Sequence, residues 1–105
     1  MKQRQPQIHK FFNQITIDYE GDHIVFVVDD RGLFLAYMRL ENAMGYVGVT
    51  PIANNGRIGG YVILVQHAPN HLVKYAIDLL ADDVRIEWLE QTSSGNREQT
   101  FTIPV

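Results

Sequence analysis

His67 and His71 lie four residues apart in the stretch His67-Ala68-Pro69-Asn70-His71, the spacing of two imidazoles that share a metal from one helical turn. Pro69 interrupts that turn, so His67 is expected to end a strand and His71 to open a helix, which separates the rings. His9 and His23 are distant in sequence, and an open metal site needs several convergent ligands. The pattern therefore predicts surface or capping imidazoles, with no metal and no other cofactor. The carboxylates fall into Asp18, Glu20 and Asp22, then Asp29 and Asp30, then Asp82 and Asp83, each where a strand edge, a turn or a helix end would be solvated. Acid–base work needs two of them to converge in a cleft. Ser93 and Ser94 sit in a turn without the Gly-x-Ser-x-Gly context of a nucleophile elbow. The chain has no cysteine, which excludes disulfides and thiolate chemistry. No catalytic residue is assigned, and an enzyme is the less favoured class.

The segment Asn54–Gly60 has the residues of an anion cradle. Asn55, Gly56, Gly59 and Gly60 let backbone amides approach a phosphate, and Arg57 supplies charge. A phosphate-binding loop should lead into a helix, whereas this one leads into the apolar run Tyr61–Val65. A hairpin tip is the favoured reading, because Asn-Gly is explained by turn geometry alone. Small-ligand or nucleotide binding at Asn55, Gly56, Arg57, Gly59 and Gly60 is the alternative.

Five tyrosines are spread along the chain, at 19, 37, 46, 61 and 75. Tyrosine can stack on a base, or anchor a protein interface with an apolar ring and a polar tip. Net charge is −3, and Lys2, Arg4 and Lys10 cluster only at the N-terminus, so the electrostatic footprint of a nucleic-acid binder is missing. Tyr37, Tyr46 and Tyr61 are the candidates for a protein interface.

The elements that must position these residues are those of a single α+β domain over residues 1–105. Ile8, Phe11, Phe12 and Ile15 recur at helical spacing after Pro6, which predicts a short helix over Pro6–Gln14. From Ile15 the period becomes two, and a meander over residues 15–40 turns at Gly21-Asp22 and again at Asp30-Arg31-Gly32. A hairpin over Tyr46–Gln66 turns at Asn55-Gly56, and Pro51 places its first arm at an edge. Asn70 is a good N-cap for a helix over His71–Ala81, with Val73, Ala76, Ile77 and Leu80 on one face. Strands follow over Val84–Glu90 and Glu98–Val105. Short connections on either side of the second helix predict a βαβ crossover within a mixed, mainly antiparallel sheet of about six to seven strands.

Three runs, Ile24–Val28, Leu33–Met38 and Tyr61–Val65, are apolar without a break. A strand wet on one face should alternate, so these call for cover on both faces, and two short helices cannot supply it. A homo-oligomer or a protein partner is the expected cover. The order of sheet, glycine-bearing hairpin, helix and tryptophan-bearing strand over Leu33–Glu90 is loosely similar to some toxin-immunity proteins, which implies a small inhibitory binder of the immunity or antitoxin kind, or a phage-type regulator. Closure of the strands into a small barrel or sandwich would instead hide the runs internally. No apolar stretch approaches the ~20 residues of a membrane span, and the N-terminus lacks the apolar core of a signal peptide. The expected location is cytoplasmic.

Overall fold

The computed structural model describes residues 5–105. Strands β1 (Gln7–Phe11), β2 (Gln14–Tyr19), β3 (Asp22–Asp29) and β4 (Gly32–Leu40) form one antiparallel meander. A second comprises β5 (Val47–Asn54), β6 (Arg57–Ala68), β7 (His71–Asp78), β8 (Asp83–Thr92) and β9 (Gly95–Pro104). They join where Gly32 of β4 lies parallel to Ile58 of β6, and the sheet curls into a nearly closed, barrel-like form. Gly32 permits that approach: its φ is 124°, and a Cβ there would collide with the Ile58 carbonyl.

This all-β architecture corrects the α+β expectation, since no helix is present among the described residues. Residues 71–78 form β7 because Val73 and Ile77 satisfy a period of two as well as a helical one, and Tyr75 between them completes the strand face. All three are buried, with Tyr75 paired to Ile63 on one side and Ile86 on the other. Asn70 caps no helix; it sits at the β6–β7 hairpin tip and donates its side-chain amide to the Gln91 carbonyl at 2.9 Å. The βαβ crossover is therefore a pair of antiparallel hairpins, and the element order that resembled toxin-immunity proteins lacks its helix. At the other misread segment, Ile8 pairs across to Ile17, while Phe11 and Phe12 project from a turn instead of lining a helical face.

The three apolar runs alternate after all. Ile24, Phe26, Leu33, Ile63 and Val65 are fully buried and meet Ile15, Ile17, Val73, Tyr75, Ile77, Val84, Ile86 and Trp88 in one core. Val25, Val27, Val62 and Leu64 face outward and are half-buried. The molecule measures 47 × 24 × 23 Å, its long axis set by strands of up to 12 residues. Strand direction places the turns at Phe12-Asn13, Asp30-Arg31 and Asn55-Gly56 at one end. Those at Glu20-Gly21, Pro69-Asn70 and Ser93-Ser94 lie at the other.

Candidate functional site

The polar residues that leave the surface do so together, near the Glu20-Gly21 end. Asp22 opens β3 on the same side as Ile24 and Phe26, so strand alternation carries its carboxyl into the core, where it is 1% exposed. Its Oδ2 accepts a hydrogen bond from the Tyr75 hydroxyl at 2.5 Å and lies 2.9 Å from His67 Nε2. The Tyr75 hydroxyl is also 3.3 Å from the Tyr19 carbonyl oxygen. His67 reaches this point through a β-bulge: Gln66 pairs with Leu72 and Ala68 with His71, leaving His67 as the extra residue. His71 stacks on His67 with ring centroids 5.4 Å apart and meets Trp88 at 4.8 Å. Asp22 Oδ1, the Tyr19 hydroxyl and His71 Nε2 are buried without a hydrogen-bond partner among the described residues.

These surroundings separate the two histidines electrostatically. The hydrogen bond to Asp22 holds His67 above the usual imidazole value against the opposing effect of burial, with the Asp22 charge, a backbone hydrogen bond to Asn42 and the charge of Glu20 adding to it. Burial and then the neighbouring His67 push His71 down, opposed by Glu90, Glu20 and Asp22. Burial raises both Tyr75 and Tyr19 well above the ordinary phenol value, with Asp22 adding for Tyr75 and Glu20 for Tyr19. The His67 side chain is 6% exposed and that of Asp22 is fully buried. With so little access, the trio Asp22–His67–Tyr75 acts as a polar latch between the two meanders. The expected surface role of His67 is thereby corrected, because a hairpin, not a helix, follows it. No group of three or more His, Asp or Glu residues placed to hold a metal occurs among the described residues.

The predicted interface tyrosines part company. Tyr37 lies on the outer face of β4, 50% exposed, with its ring 5.9 Å from that of His23. Tyr46 immediately precedes β5, is 52% exposed, and lies over Gly48 on the outer side of the second meander. Tyr61 turns inward and stacks on Phe26 at 5.8 Å. Asn55 and Gly56 form a hairpin tip with φ of 51° and 77°, and Arg57 beside them is exposed. Gly59 and Gly60 are buried by close strand approach: a Cβ on Gly60 would collide with the Ile77 carbonyl, and one on Gly59 would meet the Asn54 side chain.

Two surface features lie apart from the latch. Val25 pairs with Tyr37 and Val27 with Phe34, and these four outward residues form an apolar strip across β3 and β4. A pocket of about 390 Å³ opens at the Pro69-Asn70 end, lined by Tyr46, His71, Leu72, Leu89, Glu90 and Glu98 among others. The outward parity of Val25, Val27, Phe34 and Tyr37 was the available signal for the strip, once the β4 bulge that leaves Ala36 unpaired is allowed for. No family model, curated protein or solved structure matches the chain.

Proposed function

We infer that this protein acts by binding, as a protein-interaction module that self-associates through the outer face of β3 and β4. One observation carries the reading: Phe34 and Tyr37 remain 38% and 50% exposed beside half-buried Val25 and Val27, all four in register. An apolar strip on a sheet face favours association, and the same strip on a second copy can meet it about a two-fold axis. Tyr37 at one end of the strip suits that role, with an apolar ring and a polar hydroxyl for the rim. An inhibitory module would present the same strip to a different protein.

Sedimentation equilibrium over a range of concentrations tests the reading. The wild-type chain is expected to associate, and the double variant Phe34→Thr, Tyr37→Lys to do so at least ~30-fold more weakly with its thermal midpoint little changed. Association as strong in the double variant as in the wild type, or a wild-type chain with no association through this face, would refute it.

A further inference from the structure

Phe11 and Phe12 stand at the tip of the β1–β2 hairpin, 62% and 86% exposed, with ring centroids 4.4 Å apart. Phe12 has a φ of 55°, a left-handed conformation in which a bulky aromatic residue is an outlier. The positive φ belongs to the first position of a two-residue hairpin turn, as at Glu20 and Asn55, but folding does not call for aromatic rings there, since they gain little burial. An exposed aromatic pair at a turn position that glycine or asparagine fills at less cost points to a task there.

The pocket lined by Tyr46, Leu72 and Leu89 lies at the opposite end of the molecule, with Glu90, Arg97 and Glu98 also lining it; Arg97 pairs with Glu90 at 3.8 Å, which leaves Glu98 as the unmatched charge. The tip cannot reach its own pocket along a 47 Å axis, but that of another molecule can. Lys10 adjoins the tip, and neither it nor Glu98 makes an ion pair among the described residues. We propose that the Phe11-Phe12 tip of one copy seats in the Tyr46–Leu72–Leu89 pocket of the next, with Lys10 approaching Glu98. The aromatic rings supply apolar area, and the pocket supplies apolar walls beside unpaired negative charge. Such a contact joins two different surfaces, so it repeats head to tail and yields rings or filaments. This goes beyond the proposed function, because it uses the two ends of the molecule and leaves the β3–β4 strip untouched.

The test uses the Phe34→Thr, Tyr37→Lys background, in which the sheet face is silenced. Sedimentation velocity should show a parent chain whose mass grows stepwise with concentration. Phe12→Ser removes the knob and Tyr46→Arg, at an exposed position, blocks the pocket; each alone should weaken association by at least ~30-fold. Mixed together, the two variants should form a one-to-one pair and nothing longer, since each retains one working half. Circular dichroism checks that both remain folded. A monomeric parent, assembly unaffected by Phe12→Ser, or failure to pair on mixing would overturn the proposal. So would Phe12-dependent binding to phosphatidylcholine vesicles by a chain that never self-associates, which would make the tip a membrane contact.

Discussion

Tyr75, in the middle of β7, donates its hydroxyl proton to Asp22, the first residue of β3, across 53 positions of sequence. His67 approaches the same carboxylate oxygen from β6, so one acceptor ties three strands and both meanders. A buried polar group held this way is costly to leave without partners.

Removing either side of the latch should therefore destabilise unequally. Tyr75→Phe deletes one donor and is expected to cost about 1–3 kcal/mol. Asp22→Ala takes the shared acceptor from both His67 and Tyr75, leaving the tyrosine only its longer approach to the Tyr19 carbonyl, and should cost more, about 3–5 kcal/mol. Replacing Asp22 and His67 together by leucine should recover much of that loss, because no stranded charge remains. Urea unfolding of the four chains, compared at constant m-value, measures the order.

The histidines should pull the pH dependence of stability in opposite directions. His67 titrates above its ordinary value in the folded chain, so its contribution is complete below about pH 6.5 and fades as pH rises through the folded value. His71 titrates below its ordinary value, so its contribution is present above about pH 6.5 and is lost as pH falls through the folded value. His67→Gln is expected to lose most stability on the acid side. His71→Gln should gain relative to wild type as pH falls, and urea midpoints from about pH 5 to about pH 8 separate the two.

Alkaline pH offers a third check. Tyr75 and Tyr19 keep their protons in the folded chain well above the pH at which they ionise when unfolded. Stability should decline from about pH 10 upward, where only the unfolded state releases those protons. Phenolate absorbance should show these two tyrosines ionising only as the chain unfolds, and Tyr75→Phe should make the decline shallower.

Glycine substitutions should divide by contact. Gly60→Ala drives a methyl group into the Ile77 carbonyl and Gly32→Ala into that of Ile58, so each is expected to cost more than about 2 kcal/mol. Gly56→Ala meets open space and carries only the conformational penalty of its φ of 77°, about 1 kcal/mol. Thermal midpoints of the three variants give the ranking.

Local turn chemistry was the most readable part of the sequence. Asn55-Gly56 closes its hairpin as expected, and the turn assigned to Gly21-Asp22 falls one residue earlier, at Glu20-Gly21, where both φ values are positive. The helix expected over residues 71–81 failed because Val73 and Ile77, four apart, fit both a helical period and a period of two, and only pairing with β6 and β8 decides between them. The solvated Asp22 expected at a Gly21-Asp22 turn is instead buried: it opens β3, and alternation with Ile24 and Phe26 puts its carboxyl on the core face. Its partners could not be read, since His67 and Tyr75 lie 45 and 53 residues away and His67 is aimed by a bulge.

The parallel contact between Gly32 and Ile58 has a consequence for how copies of the chain can interchange. The backbone crosses from one half to the other only through residues 41–46, anchored where Glu41 N–H reaches the Gly21 carbonyl and Met44 N–H the Gln66 carbonyl. Straightening that hinge would let two molecules trade halves while every hairpin kept its own strands. The Asp22 carboxylate would then be matched by histidine and tyrosine donated from another chain, so the same latch would authenticate an exchanged dimer as readily as a monomer.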